Sequence, residues 1–378
     1  MIPPMIVSHP AELLRRLQLE LPIIQAPMAG VSTPAMAAAA ANAGALGSMG
    51  VGATDAAGAQ EMLRAARQLT SRALNINVFC HRPATPDAAV EAAWIERLRP
   101  HFVRLGAPAP AKLIEIYRSF VTDDAMLELL VRSKPEVVSF HFGLPAPERL
   151  QALRAAGIVL IASVTSLEEA NIAVGAGVDA LVAQGYEAGG HRGVFDPGAH
   201  DDRLGTLALT RLLVRKFDVP VIAAGGIMDG AGIAAALKLG AVAAQLGTAF
   251  VACAESAADE GYRAALRSEA AFHTVMTAAI SGRPARCLMN QFTRLGESVA
   301  PAAIPDYPIA YDAGKALHAA GKARAEFGYG AQWAGQGAPL ARSLPTGELV
   351  RELAAELEAA WRLATAEGGM GRYRNTLR

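Results

Sequence analysis

Eight short apolar runs, each followed by a stretch with helical spacing, constrain the fold of this chain more than any other feature. The runs lack the strict alternation of half-exposed strands, which is typical of strands buried on both faces of a parallel sheet. Eight such units predict an α/β fold, a (β/α)8 TIM barrel, rather than an open doubly wound sheet. The predicted strands cover residues 23–28, 45–50, 74–79, 137–142, 159–164, 180–184, 219–224 and 242–247.

Helical spacing fills the intervals between these strands. Gly177 and Gly240 each follow a predicted last turn, where the left-handed conformation favours glycine. The predicted barrel helices cover residues 34–43, 54–69, 147–156, 166–176, 207–217 and 230–239.

Two insertions interrupt the repeat. The first, residues 80–136, contains predicted helices over 86–98 and 123–132. The second, residues 255–332, is predicted to form a helical subdomain that covers the barrel mouth. The barrel itself is predicted to comprise residues 1–254, with residues 333–378, including a helix over 346–366, packing back on it.

Composition excludes several classes of partner. With 35 basic and 35 acidic residues the formal net charge is zero, which gives no reason to expect nucleic acid or an anionic membrane as a partner. Cys80, Cys253 and Cys287 form no CxxC pair, so we expect reduced, structural thiols and no metal site. Residues 1–5 do not begin a secretory signal, and no apolar run approaches the about 20 residues that a membrane helix needs. We therefore expect a cytoplasmic protein; no feature marks an oligomer interface.

Glycine-rich loops follow the last two predicted strands, where TIM barrels often bind phosphate. Strand seven is followed by Gly225 and Gly226, and strand eight ends in Gln245, Gly247 and Thr248. Small residues let backbone amides approach a dianion, and a helix start behind each loop would add its positive dipole end. The alternative is that the glycines only permit tight turns, but two such loops on neighbouring strands favour a phosphate-bearing ligand. No Gly-x-Gly-x-x-Gly follows the first strand, which excludes a Rossmann dinucleotide site.

The ends of three other strands predict what else that ligand carries. Ala26 and Met28 lie in an uncharged run at the end of strand one, and such a surface suits the flat ring of a flavin. Asn77 and Gln184 end strands three and six and offer amides to the polar edge of the ring. Each amide could instead satisfy only backbone groups at its strand end.

A histidine-containing loop follows strand six. Gly189 and Gly190 precede His191, and imidazole titrates near neutrality, so His191 is the candidate for chemistry. Neither a second histidine nor an HExxH motif completes a zinc site with His191 and Glu187. We expect Glu187 to order the loop through backbone amides.

His141 lies between Phe140 and Phe142 at the end of strand four. Alternation would direct both phenylalanines to one side and His141 to the other, where it could reach substrate or flavin; a structural histidine is the alternative. Three residues of the second insertion are further substrate candidates, with subdomain packing as the alternative: Arg286, Asn290 and Tyr307.

Four segments of the chain resemble motifs of the bacterial class I nitronate monooxygenases, formerly called 2-nitropropane dioxygenases. They are the runs 25–34 (QAPMAGVSTP), 77–79 (NVF), 139–145 (SFHFGLP) and 184–193 (QGYEAGGHRG), and residues 334–337 resemble the family's last segment. The resemblance implies non-covalently bound FMN, with contacts at Asn77, Gln184, Gly189, Gly226 and residues 245–248. It also implies that His191 is the active-site histidine.

The implied reaction is the oxidation of alkyl nitronates, such as propionate 3-nitronate, by O2 to carbonyl compounds plus nitrite or nitrate, through a flavin semiquinone. His191 would hold the anion or remove the α-proton of a nitroalkane. Two alternatives stay open. NAD(P)H:quinone reductases and flavin-dependent enoyl reductases share the Glu-x-Gly-Gly-His element but need an NAD(P)H docking surface. A barrel that binds a sugar phosphate or nucleotide without redox chemistry is compatible with the phosphate loops alone.

Overall fold

The computed structural model describes residues 10–366, and in it eight parallel strands form one sheet that closes into a barrel. The expectation about a secretory signal at residues 1–5 concerns residues outside this range. So does the expected packing of residues 367–378 on the barrel. The barrel strands are β1 (Ile23–Gln25), β2 (Gly47–Gly50), β3 (Leu74–Phe79), β4 (Val137–His141), β5 (Val159–Val164), β6 (Ala180–Gln184), β8 (Val221–Ala224) and β9 (Ala243–Leu246). Their order is β1-β9-β8-β6-β5-β4-β3-β2, and a parallel bridge between Ile24 and Leu46 joins the two ends of the sheet. The predicted TIM barrel is confirmed.

Burial on both faces explains why the strands lack alternation. All six residues of β5 are buried. Val159 and Ile161 pack inside the barrel, where Leu13 and Leu17 at the end of α1 (Pro10–Arg16) close the floor. Leu160 packs outward in the cluster beneath the helices. The barrel is therefore sealed at its amino end and open only at the carboxyl ends of its strands.

Six helices surround the sheet, with bounds within two residues of those predicted. Side chains cap the first turns of four of them: Thr33, Asp55, Ser166 and Asp229 each accept a hydrogen bond from the amide three residues on. The helices are α2 (Pro34–Asn42), α3 (Ala56–Leu69), α6 (Pro147–Ala155), α7 (Leu167–Gly175), α8 (Thr206–Lys216) and α9 (Gly230–Lys238), and the one-turn helix α10 (Thr248–Val251) follows β9.

The first insertion forms α4 (Ala88–Arg104) and α5 (Asp124–Ser133). Helix α4 extends past residue 98, where the sequence predicts its end, although Pro100 lacks an amide donor. It continues to Arg104 since Phe102, beyond the proline, is buried in the same cluster as Trp94 and Leu98.

The second insertion is mainly helical, as predicted, but it also contains two strands. These are β10 (Thr274–Thr277) and β11 (Ala285–Leu288), and β11 also pairs with β7 (Gly190–His191). The division of the chain near residues 254 and 332 stays a prediction, since this small sheet crosses the first of those boundaries. The remaining elements are α11 (Glu260–Leu266), α12 (Gln291–Gly296), α13 (Ile309–Lys322), α14 (Thr346–Ala366) and 3-10 helices at Glu269–Phe272, Pro301–Ala303 and Ala338–Leu340.

Helix α14 packs against α9 and α2 through Leu349, Val350 and Leu353. Between residues 10 and 366, no helix combines the length and apolar character needed to cross a membrane.

Candidate active site

A cavity of about 690 Å³ lies at the carboxyl ends of the barrel strands. This volume is typical of pockets for cofactors and small molecules. The predicted site residues that line it are Ala26, Met28, Asn77, His141, Gln184, Gly189, Gly190, His191, Gly225, Gly226, Gln245, Gly247, Thr248 and Tyr307. Within the described part of the chain, no group of three or more His, Cys, Asp or Glu side chains is placed to hold a metal ion.

Bare backbone forms one part of the cavity surface, which we call the glycine wall: Gly225, Gly226, Gly247 and Thr248. Gly225 and Gly226 have φ values of +119° and +70°, which side-chain-bearing residues rarely adopt. A Cβ at Gly225 would also lie 2.8 Å from Thr206 Oγ1. These two positions therefore require glycine for their backbone conformation.

Gly247 is a different case. Its φ is −107°, and a Cβ there would approach Ala26 Cβ to 3.6 Å and Met28 Sδ to 3.7 Å, which are ordinary contacts. The protein around Gly247 thus tolerates a side chain. The space that glycine leaves open at this position belongs to the cavity.

The helix that begins behind Gly225 and Gly226 is α9, and carboxylates accept hydrogen bonds from two amides of its first turn. This helix begins only at Gly230, whose amide donates to Glu356 Oε2 at 2.9 Å, and Gly232 donates to Asp229 Oδ1 at 2.8 Å. Carboxylates therefore already bind its first-turn amides.

Thr248 adds a hydroxyl group to the glycine wall. Its hydroxyl accepts a hydrogen bond from the amide of Gly335 at 3.0 Å, which leaves the hydroxyl proton for another acceptor.

The predicted amide ligands hold protein backbone. Gln184 Nε2 donates to the carbonyl of His191 at 3.0 Å, and its Oε1 accepts from the amide of Gly193 at 2.7 Å. Asn77 Nδ2 donates to the carbonyl and the hydroxyl of Ser139 at 3.1 and 2.9 Å. Both side chains line the cavity, but Gln184 chiefly fixes the histidine-containing segment.

His191 lies in a strand rather than in an open loop. Its Cα pairs with Ala285 of β11, and its carbonyl accepts from His141 Nε2 at 3.1 Å as well as from Gln184. On the side chain, Nε2 lies 2.9 Å from Ser281 Oγ. The imidazole is therefore positioned through its backbone and through one ring nitrogen, which leaves Nδ1 for a ligand.

Enclosure by protein atoms controls the titration of both cavity histidines. Burial, together with the nearby His141, Arg283 and His81, lowers the pKa of His191 to about 3, and burial is the largest of these causes. Burial likewise lowers the pKa of His141 to about 4. Both imidazoles are therefore neutral at neutral pH.

The Ser281 hydroxyl allows two tautomers of His191. When it donates to the carbonyl of Arg283, 3.3 Å away, Nε2–H of His191 donates to Ser281 and Nδ1 keeps its lone pair. When Ser281 donates to Nε2, Nδ1 carries the proton instead. The side chain can thus accept or donate a hydrogen bond at the cavity.

A second part of the surface, which we call the histidine–aromatic wall, comprises His141, His191, Tyr307, Tyr311 and Trp333. The His191 ring centroid lies 5.4 Å from that of Tyr307, 6.1 Å from Tyr311 and 5.1 Å from Trp333. Tyr311 and Trp333 were not among the predicted site residues.

Lys315 was also missed. Its Nζ lies 4.9 Å from the ring centroid of Tyr117 and 5.6 Å from that of Tyr311, burial lowers its pKa, and it forms no ion pair within the described chain. The sequence did contain a pattern that indicates Lys315. Spacings of four, three and four place four residues on one face of α13, and all of them line the cavity: Tyr311, Lys315, His318 and Lys322.

Two of the weaker substrate candidates serve packing. Arg286 donates to the carbonyl of Tyr186 at 2.8 and 3.1 Å, and Asn290 caps α12 by accepting from Thr293 N at 3.0 Å. Neither lines the cavity, so the predicted alternative holds for both.

Phe142 departs from the predicted alternation. Its φ is +72°, so the chain leaves the strand after His141, and Phe142 joins Phe79 and Tyr307 instead of the outer cluster that contains Phe140. Its ring centroid lies 4.5 Å from that of His141.

An eight-stranded parallel barrel with bare glycine loops and a fixed histidine at its carboxyl face has the architecture of a TIM-barrel enzyme. The family model described as nitronate monooxygenase matches residues 11–356, so the chain belongs to that family of oxidoreductases. The resemblance expected from the four motifs is thereby confirmed.

Individual relatives agree with this assignment. The chain is 64% identical over 346 residues to a nitronate monooxygenase of Paraburkholderia phytofirmans, covering 92% of this chain and 94% of the relative. It is 51% identical over 345 residues to a nitronate monooxygenase of Pseudomonas aeruginosa, covering 91% and 98%. Its fold is similar to the crystal structure of nitroalkane oxidase from Streptomyces ansochromogenes, with a TM-score of 0.85, 40% identity and coverage of 93% and 99%.

Proposed function

We propose that this protein is an FMN-dependent monooxygenase that oxidises alkyl nitronates, propionate 3-nitronate among them, with O2 to carbonyl compounds plus nitrite or nitrate. The observation that carries the proposal is the presence, in one cavity, of a bare glycine wall and a neutral, doubly positioned His191. Membership of the nitronate monooxygenase family supports the substrate class.

The cavity residues fit FMN. Gly225, Gly226, Gly247 and the Thr248 hydroxyl offer a surface with close backbone approach and a free proton, as a phosphate requires. Gly247 is the sharpest indicator, because the surrounding protein does not require a glycine there.

The flavin ring would lie on the uncharged strand end at Ala26 and Met28, near Asn77, Gly189 and Gly190. Bound there, FMN supplies electron transfer between the nitronate and oxygen.

His191 is suited to hold an anion rather than to remove a proton. An imidazole whose pKa is lowered to about 3 is a weak base, whereas a nitronate needs no deprotonation. When Ser281 donates to Nε2, the Nδ1 proton is available to a nitronate oxygen. Nitronates should therefore be much better substrates than neutral nitroalkanes.

Lys315 would attract a substrate that carries a second negative charge. It lines the cavity, lacks a carboxylate partner within the described chain and is held against two tyrosine rings. A carboxylated nitronate fits this arrangement better than an unsubstituted one.

The test is steady-state oxygen consumption by the purified protein with propionate 3-nitronate, beside NADH oxidation with a quinone. The released cofactor is identified by chromatography. We expect FMN, rapid oxygen uptake with the nitronate and negligible NADH oxidation. The reverse pattern of activities would move the protein to the reductase alternative, and a colourless protein that takes up no FMN would overturn the cofactor assignment.

A further inference from the structure

Arg283 is a buried cation without a counterion, and it lies just behind the cavity. Its side chain is 3% exposed, one terminal nitrogen donates to the carbonyl of Val194, and Nε has no hydrogen-bond partner in the structure. No carboxylate within the described chain forms an ion pair with it. A buried charge left in this state is costly to the fold.

The nearest carboxylates are already engaged elsewhere. Glu169 accepts from the Thr165 hydroxyl at 2.8 Å and from the amide of Phe195 at 2.8 Å. Asp306 accepts from Arg82 at 3.1 Å. These groups, with Asp196, act on Arg283 only at a distance.

One aromatic ring separates Arg283 from the histidine–aromatic wall. The guanidinium carbon lies 4.3 Å from the ring centroid of Phe142, and the same ring lies 5.6 Å from His191 and 5.5 Å from Tyr307. Phe142 adopts a positive φ that a bulky residue rarely tolerates. The strained backbone therefore places an apolar ring in contact with both the cation and the wall.

The backbone holds Arg283 in this position. Ser281, two residues before Arg283, forms a hydrogen bond with His191 Nε2. Gly282, between them, has a φ of +93°. A Cβ at Gly282 would lie 2.7 Å from the amide nitrogen of Tyr307. The segment is thus packed against both His191 and Tyr307, which fixes the backbone that carries Arg283.

Tyr307 completes the arrangement. Its hydroxyl is buried and has no hydrogen-bond partner in the structure, although the residue lines the cavity. An anion in the cavity would offer this hydroxyl an acceptor and Arg283 an opposite charge.

We propose that Arg283 is a positioning residue that makes the cavity selective for anions: its charge, acting past the Phe142 ring, draws the O–N–O group of a nitronate towards His191 and Tyr307. The proposal rests on the proposed function for the identity of the substrate. The unpaired guanidinium itself is independent of that function.

Nitrite is a suitable probe, because it carries the same anionic O–N–O group and requires no turnover. Its dissociation constant from the flavin-loaded protein is measured by calorimetry for the native protein, Arg283→Met, Arg283→Gln and Arg283→Lys. We expect about tenfold weaker binding in the two uncharged variants and a change below about threefold in Arg283→Lys. Arg283→Gln keeps a donor for the Val194 carbonyl and serves as the test if the methionine variant fails to fold.

Arg149→Met is the matched control. Arg149 also lies over a phenylalanine, 5.7 Å from the Phe120 centroid, and donates to a backbone carbonyl. It differs from Arg283 in pairing with Asp124 and in lying away from the cavity. With ethyl nitronate, loss of the Arg283 charge should raise KM about tenfold and leave kcat within about threefold.

Equal nitrite affinities in native protein and a folded Arg283→Gln variant would overturn the proposal. So would an equal loss in Arg149→Met. Failure of the native protein to oxidise any nitronate would instead count against the proposed function, and the nitrite comparison would stay interpretable.

Discussion

The two walls of the cavity are built in opposite ways. The glycine wall comes from two consecutive loops, after β8 and β9, and presents backbone. The histidine–aromatic wall presents side chains from four places, the ends of β4 and β7, the region of Tyr307 and Tyr311, and Trp333. One wall contains no titratable group, and the other holds two neutral histidines. This difference agrees with the proposed function, in which one wall holds a phosphate and the other contacts the reacting atoms.

The largest expected effect comes from replacing a glycine of the glycine wall by a residue with a side chain. Gly247→Val should lower flavin occupancy at least about tenfold, and activity with it, because the new methyl groups enter the space proposed for the phosphate. Bound flavin per polypeptide is measured by absorbance, and folding is checked by thermal unfolding. Gly175→Val is the control, since a Cβ at Gly175 meets nothing within 4 Å. Full flavin occupancy in Gly247→Val would show that this wall does not bind the phosphate.

Changing the other wall should separate chemistry from cofactor binding. His191→Asn should reduce kcat/KM with ethyl nitronate about 100-fold while flavin content stays near native, since the ring nitrogen at the cavity is lost. His318→Asn is the comparison, because His318 lines the same cavity but pairs with Asp259. Unchanged rates in His191→Asn with nitronates and nitroalkanes alike would show that His191 takes no part in the reaction.

A smaller effect should distinguish substrates. Lys315→Met should raise KM for propionate 3-nitronate about tenfold, and raise it clearly less for ethyl nitronate, which lacks the carboxylate. Lys322→Met is the matched change on the same helix, where the ammonium lies 3.5 Å from Asp259. Equal increases for the two substrates would show that Lys315 does not recognise the carboxylate.

The smallest effect concerns stability. Burial lowers the pKa of His81 to about 4, so below the ordinary value of 6.5 the unfolded chain binds more protons than the folded one. Stability should therefore be complete above about pH 6.5 and fall as the pH drops towards 4. From pH 7 to pH 5 this group alone should cost about 2 kcal/mol of unfolding free energy.

Urea titrations at the two pH values test this contribution. His81→Leu should reduce the loss of stability on acidification by about that amount. His200→Gln, at an exposed position, should leave it unchanged. An equal pH dependence in native protein and His81→Leu would show that His81 has the same pKa in the folded and the unfolded protein.

The barrel could be predicted from the sequence because each strand carries its own apolar run. The errors lie at strand ends, where the chain changes direction. Strand β1 ends at Gln25 rather than at residue 28, since Ala26 and Met28 leave the ladder to line the cavity. Strand β8 begins after Pro220, which has no amide proton to donate.

The glycine wall was predictable for a similar reason. Glycines at the ends of neighbouring strands have few purposes, and the order of strands in a TIM barrel brings them together. Tyr311 and Trp333 could not be placed this way, because their proximity to His191 depends on how residues 255–332 fold back. The pairing of β11 with β7 is a contact across almost 100 residues, and its four-residue strand carries no strong pattern of its own.

The pairing of β11 with β7 also determines when, during synthesis of the chain, His191 can be aligned. All eight barrel strands have been synthesised by Leu246, yet the partner that aligns His191 begins only at Ala285, and Trp333 follows later still. A nascent chain can thus complete its barrel scaffold while His191 is still unaligned. The contacts that align His191 with its neighbours form only after the whole barrel has been synthesised.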